Sequence, residues 1–437
     1  MQTVNQFLTA IMLLGSFSFF SAQEKRTISL EEAVKLGIEN SKNLKIDQAQ
    51  IEESTANLLA AKNKQLPELT VSGSYLYLPL EPNMNVKLPG LAAGAGGVRV
   101  NQVMYGSANV SVPIYSGGRI KYGIKSAEYL VEASRLIAEN DKNAIAYNIS
   151  QAYNNLFKAN EVVKLLKENL ESSQKRDQSF IKLENNGVIA RNDRLKAQLQ
   201  TSNIELQLME AENNYSIANI NMDLLLGLPD NTDIAVDAAY IGEDDLTKPD
   251  DYYLNLARET RDDLKALDMQ RKAAALGSKS AKAENLPSLA FTGGYVAADI
   301  PKLLTITNAV NVGVGIQYNL SNIWKKNSRY VQAKAREQEL AANNDLLNDN
   351  ITLEVKRDYQ NDLYAHKKID VYQRALEQAE ENYRITLNKY NAGLETITNL
   401  LDADTAKITA NVNVITSKAD AALAHKKLLQ TTGTMNN

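Results

Sequence analysis

The chain has 437 residues, with 48 Lys and Arg against 52 Asp and Glu and a formal net charge of −4. It shows no basic footprint for nucleic acid, and the absence of cysteine excludes disulfides, thiolate metal sites and a lipidated N-terminal cysteine. Nine prolines, 21 glycines and only 6% aromatic residues favour long helices over a compact mixed core.

The N-terminus carries an apolar run from Phe7 to Phe20 that ends in Phe20-Ser21-Ala22 before Gln23 and Glu24. This pattern predicts a signal segment, 1–22, cleaved after Ala22 and directing export, although Met1 to Gln6 supplies no Lys or Arg. No other stretch reaches the roughly 18 consecutive apolar residues that a helical membrane span needs.

Beyond the signal the chain is written twice, as 23–227 and 250–437, joined by a linker at 228–249. Leu66-Pro67-Glu68-Leu69 with Gly73 and Tyr75 recurs as Leu286-Pro287-Ser288-Leu289 with Gly293 and Tyr295. After a change of register, Tyr153, Asn185, Gly187 and Gly227 pair with Tyr359, Asn391, Gly393 and Gly433. The first copy carries a longer insert around Pro79 to Val100. A duplication on this scale constrains architecture before any local motif does.

Each copy reads helix, strand, strand, very long helix, tight turn, helix. The first helix is expected from Leu30, after Ser29 as N-cap, to about Leu66; its counterpart runs from about Asp250 to Leu286. Both stop where a residue precedes proline. The period then changes to two. Val310, Val312, Val314 and Ile316 alternate with Asn311, Gly313 and Gly315, and Val71, Tyr75 and Tyr77 share a face. These features predict hairpins at 70–114 and 288–320, built from four strands of roughly 8–11 residues. Transmembrane strands have this length and alternation, while the plain alternative is two surface hairpins. Four strands cannot close a barrel alone, since about eight is the practical minimum. A membrane reading therefore requires oligomerisation.

From Arg119 to about Glu184, Ile145, Ile149, Ala152, Leu156, Ala159, Val163, Leu166 and Leu170 recur with the 3.5-residue period of a coiled coil. Tyr372, Leu376, Ala379 and Tyr383 continue the idea in the second copy, from about Lys325 to Tyr390. A helix of this size would span roughly 100 Å, which suits a bundle, rod or tube. Asn185-Asn186-Gly187 and Asn391-Ala392-Gly393 are read as left-handed C-caps that reverse the chain, and new helices follow to about Leu226 and Leu429.

No catalytic constellation is found, and no cofactor-binding or metal-binding residues are assigned. His366 and His425 are expected at the solvated surface. Gly94 to Gly97 precedes no helix and is not read as a phosphate loop. Trp324, beside Lys325 and Lys326, is either a membrane-interface anchor or a buried packing residue.

Tyr390-Asn391-Ala392-Gly393-Leu394 with Ile397-Thr398-Asn399-Leu400-Leu401-Asp402-Ala403 resembles the tip motif of TolC-family outer membrane efflux proteins. Gly187-Val188 with Asp193, Leu195 and Ala197 resembles the family's second tip. Pro113-Ile114-Tyr115-Ser116-Gly117-Gly118-Arg119 is similar to its strand-to-helix corner. The resemblance covers nearly the whole chain after the signal. It implies a fold that is mainly α with a small β part, combining long coiled-coil hairpins with four transmembrane β-strands per chain. Three chains would complete a 12-stranded barrel in the outer membrane and an α-barrel tunnel in the periplasm. The implied function is a passive exit duct for efflux or type I secretion. Its partners would be outer membrane lipid, a periplasmic adaptor and, through the adaptor, an inner-membrane transporter. The alternative is a periplasmic coiled-coil scaffold or adaptor without a barrel.

By the same resemblance, Gly187, Arg191, Asp193, Tyr390, Gly393, Glu395, Asn399 and Asp402 mark the periplasmic aperture and its docking tips. Asp402 matches a carboxylate of the closed iris, and Tyr390 and Asp193 match its closing network. The chain departs from the best-known member at Asn399, where Asp is usual, and at Glu395, where a basic residue stands. Arg191 and Glu395 are therefore read either as a charge-swapped latch that holds the tunnel shut or as solvated tip charges. The exposed pairs of such a latch would contribute about 0–1 kcal/mol each.

Overall fold

A computed structural model describes residues 26–84, 98–237, 241, 248–301 and 303–435. The signal segment 1–22, insert residues 85–97 with the Gly94 to Gly97 run, and linker residues 238–240 and 242–247 lie outside the described residues.

The first copy contains β1 (Arg26–Ile28), α1 (Leu30–Asn40), α2 (Lys42–Asn63), β2 (Glu68–Tyr77), a short pair β3 (Asn83–Met84) and β4 (Val98–Arg99), β5 (Gln102–Tyr115), α3 (Arg119–Asn185) and α4 (Arg191–Leu226). The linker adds β6 (Ile234–Val236). The second copy contains α5 (Asp250–Thr260), α6 (Asp262–Ala283), β7 (Ser288–Ile300), β8 (Leu304–Gln317), α7 (Ser328–Asn391) and α8 (Ile397–Thr432). The chain divides into two compact units. One gathers residues up to Lys45, Glu139–Arg261 and Asn350 onward; the other gathers Ile46–Ala138 and Asp262–Asp349.

In the helical unit, the single first helix expected in each copy is two helices, broken at Ser41 and at Arg261. The break is built in, because each site satisfies a distant helix end. Asn40 Nδ2 donates to the Leu226 carbonyl at 2.9 Å, and Arg261 Nη1 donates to the Thr431 carbonyl at 3.1 Å. Both acceptors lie in the last turn of a helix, where carbonyls lack intrahelical partners. Ser41 then starts the new helix, its Oγ accepting from the Leu44 N–H at 3.3 Å. The last helices close on Gly227 and Gly433 with φ of 70° and 79°, so α8 runs slightly past the expected Leu429.

The coiled-coil seam of α3 is the core of this unit. Ile149, Ala152, Tyr153 and Leu156 pack with Ile28, Met222, Leu226 and Ile234, and Val163 and Leu166 pack with Ile204, Leu208, Ala211 and Ile408. Two strands that the sequence reading lacked complete it: β1 pairs in parallel with β6, with Ile28 opposite Val236. The Tyr153 hydroxyl ties both segments down, donating to the Ile28 carbonyl at 2.9 Å and accepting from the Asp237 N–H at 2.8 Å.

The histidine expectation is corrected for His425, which keeps only 13% of its side chain exposed and lies 3.5 Å from the fully buried Asp362 carboxylate. His366 lies at the same distance from it but stays 39% exposed, as expected. A polar helical neighbourhood in sequence hid an inward face that only the α7–α8 contact defines.

The other unit is organised by a four-stranded antiparallel sheet in the order β2-β5-β7-β8. β2 has 10 residues, as expected, while the other three strands run 13 to 14, longer than expected, and the β5–β7 pairing fuses the hairpins of the two copies. The register aligns one apolar face: Leu69, Val71 and Tyr75 on β2, Val110 and Val112 on β5, Phe291 and Tyr295 on β7, Val310, Val312 and Val314 on β8. The opposite face carries Ser72, Ser107, Asn109, Gly294 and Asn311 in the same register. At Gly294 a Cβ would meet Asn311 Oδ1 at 2.5 Å and Asn109 Oδ1 at 2.8 Å, so a larger residue there would have to displace both amide side chains. Most of the apolar rows on β2 and β8 are exposed.

Asp223, near the end of α4, is buried and accepts from Asn219 Nδ2 at 3.2 Å. Burial and then the Asp230 carboxylate push its pKa up to about 6, while the Thr232 N–H pulls it down. Between about pH 4 and 6 the folded chain therefore holds a proton that the unfolded chain has released, and stability falls as pH rises through that window. The full penalty is on the order of 3 kcal/mol. Asp223→Asn is expected to raise the melting temperature at pH 7.5 and to flatten its pH dependence below pH 6, as read by circular dichroism.

Candidate functional site

Each long helix ends in the turn foreseen. After α3, the Gly187 N–H donates to the Glu184 carbonyl and the Val188 N–H to the Leu183 carbonyl; after α7, Gly393 and Leu394 bond in the same way to Tyr390 and Lys389. This is the Schellman arrangement, which places a residue in the left-handed region. Gly187 and Gly393 fill it with φ of 71° and 74°.

An apolar plug holds the two turns together. Phe180, Ala197, Ile397, Leu400 and Leu401 are buried as one cluster, with Ile189, Tyr383 and Tyr390 packed on it. The Phe180 and Tyr390 rings lie 5.9 Å apart. Polar ties run around the plug: Lys196 Nζ donates to Thr398 Oγ1 at 3.0 Å, and Arg194 pairs with Glu184 across the first turn. Arg176 Nη2 bonds Asp404 Oδ2 at 2.5 Å, with side-chain exposures of 15% and 7%. Breaking so enclosed an ion pair by removing one partner costs about 3–5 kcal/mol.

A groove of about 720 Å³ opens between the turns, lined by Asp193, Lys196, Tyr390, Gly393, Glu395 and Thr398 among others. Four of the expected tip residues, Asp193, Tyr390, Gly393 and Glu395, thus share one cleft. Burial and then the Asp193 charge raise the Tyr390 pKa. Asn399 joins the cleft through Glu395: its Nδ2 donates to Glu395 Oε1 at 2.6 Å, while the Thr396 N–H donates to the same oxygen at 3.0 Å. These two bonds, then the Lys389 charge, hold the Glu395 carboxyl below the usual range. Glu395 is therefore engaged at the start of α8, and among the described residues no ion pair joins it to Arg191. Gly187, Arg191 and Asp402 are exposed outside the cleft. Trp324 belongs to the sheet-bearing unit, 71% exposed after β8, which removes the buried-packing alternative within the chain.

The sequence reading missed Arg176, Asp404 and Lys196, and it took Thr398 only as part of the tip motif. Their partners lie more than 200 residues away, and only the helix-to-helix register brings them together.

The family profile for outer membrane efflux proteins matches residues 34–228 and 253–434. Among solved structures, VceC from Vibrio cholerae is similar at 16% identity, with a TM-score of 0.76 and 92% of this chain and 96% of that chain covered. The Campylobacter jejuni CmeC outer membrane channel gives 18%, 0.76, 93% and 86%. The open state of the Neisseria gonorrhoeae MtrE outer membrane channel gives 16%, 0.72, 93% and 89%. At such identities these likenesses establish the fold. No curated protein matches the chain.

A Cβ at Gly393 meets nothing within 4 Å, so Gly393→Ala carries backbone strain without a clash. The expected loss is about 1 kcal/mol, seen as a lower melting temperature. Gly393→Asn is expected to lose less, because Asn tolerates the left-handed region.

Proposed function

The chain belongs to the outer membrane efflux protein family, and from that premise we propose that it works as the passive exit duct of a tripartite efflux or secretion system. Three chains assemble into a 12-stranded barrel in the outer membrane, continued by a helical tunnel in the periplasm. The observation that carries this reading is the sheet: one aligned apolar face, one small polar face, and β2 and β8 as edges. Backbone groups on an edge must be paired in lipid, so only a closed barrel spans the membrane. Four strands from one chain fall short of closure, and twelve suffice.

The helices support the same assembly. Leu199, Leu206, Met209, Ile217 and Leu224 form an exposed apolar row on α4, and Leu353, Tyr364 and Val371 form another on α7. The rows differ in composition and lie in different copies, which suits a head-to-tail interface that closes into a ring. Trp324 with Lys325 and Lys326 then serves as an anchor at the membrane surface. The groove between the turns receives the adaptor, which links the duct to an inner-membrane transporter.

Two substitutions on neighbouring residues of β8 test the barrel. Val312→Lys puts a charge on the apolar face, at a cost of about 2–4 kcal/mol if near the bilayer midplane. The heat-labile trimer in unheated gel electrophoresis of detergent extracts is expected to disappear. Asn311→Lys on the other face is expected to leave the trimer intact and shift ion selectivity in planar bilayers. Equal assembly of both variants, or recovery of the wild type in an osmotic-shock fraction, would sink the membrane reading. Since the chain has no cysteine, Glu395→Cys offers a unique crosslinking handle. It is expected to capture a periplasmic adaptor in cells, whereas a cysteine replacing exposed Ser328 is not.

A further inference from the structure

Beside the groove at the turns, and sharing Leu183, Tyr390 and Asn391 with it, α3, α7 and α8 line a second cavity of about 390 Å³, whose walls include Arg176, Phe180, Tyr383, Leu387, Asp404 and Lys407. Its charges do not balance. Two cations, Arg176 and Lys407, face one carboxylate, Asp404. Asp404 is committed to Arg176 Nη2. Arg176 Nη1 is buried and meets no acceptor at hydrogen-bond geometry among the described residues; the Tyr383 hydroxyl hydrogen-bonds the guanidinium but, being neutral, leaves its charge in place. The Lys407 ammonium lies 4.6 Å from the centroid of the Tyr383 ring, a cation–π position that leaves its charge unneutralised.

A buried guanidinium edge without an acceptor is costly, and the excess positive charge defines what would satisfy it. A guanidinium can serve two carboxylates from different edges, here Asp404 on Nη2 and a second one on Nη1. Lys407 balances the added charge. Phe180, Leu183 and Leu387 supply apolar contact for the rest of such a molecule. We propose that this cavity binds a small organic carboxylate with an aromatic or aliphatic body, a ligand class unrelated to docking at the turns.

The probe is 3-(4-fluorophenyl)propionate, followed by fluorine NMR with the full chain in non-ionic detergent; its carboxamide is the uncharged control. Saturable binding is expected with a Kd near or below about 1 mM, and none for the carboxamide. Losing a charged hydrogen bond predicts about 10- to 100-fold weaker binding in Arg176→Gln, with a smaller loss in Lys407→Gln. Lys407→Gln leaves the Arg176–Asp404 pair in place, so it decides the matter should Arg176→Gln fail to fold. Equal binding of the carboxamide, unchanged affinity in Lys407→Gln, or no binding at about 10 mM would overturn the proposal.

Discussion

Backbone hydrogen bonding along the open sides of the sheet is the constraint on which the rest of the molecule depends. β5 and β7 lie between two neighbours along most of their length, but among the described residues β2 and β8 each have one side without a neighbour. In water such edges invite uncontrolled pairing; in lipid each unpaired group costs several kcal/mol. The exposed apolar rows beside them compound the demand. A sheet so built supports the proposed assembly of several chains, in which each open edge would find a partner.

The helical unit resolves a related problem, that of terminating helices cleanly. The copies use the same solution with different residues. Asn40 in one copy and Arg261 in the other interrupt or flank an early helix and spend their side chains on carbonyls at the end of a later one. The turns follow the same logic, with glycine in the left-handed position. Where the copies diverge, they do so in polar chemistry. Asp223 has Leu429 as its counterpart by spacing to the closing glycines, so this buried, proton-holding carboxylate has no equivalent at the matching position of the second copy.

Much of the architecture was legible because long periodic elements announce themselves. The α3 seam, the two glycine turns and the twofold alternation of β8 are all readable from residue spacing, and the structure bears them out. Short elements were not. β1 and β6 are three residues each, too brief to show any period. The helix breaks at Ser41 and Arg261 carry no glycine or proline, and they arise from tertiary hydrogen bonds. At the turns, the glycines and Tyr390 stood out through local pattern, while Arg176 and Asp404 did not, since nothing local marks residues whose meaning is their partner. His425 was misplaced for the same reason: a residue's helical face acquires an inside only when another helix covers it.

The parallel pairing of β1 with β6 bears on the order in which the chain acquires structure. The first described residues pair with a segment roughly 200 positions later, and chains emerge N-terminus first. Closing so long a loop carries an entropic cost before any contact rewards it. The leading strand, with Ile28 destined for the core, must therefore wait exposed until α3, α4 and the linker have all appeared. Registration of β1 becomes a late checkpoint on completion of the first copy, and a chain stalled before β6 leaves an unpaired strand with Ile28 uncovered.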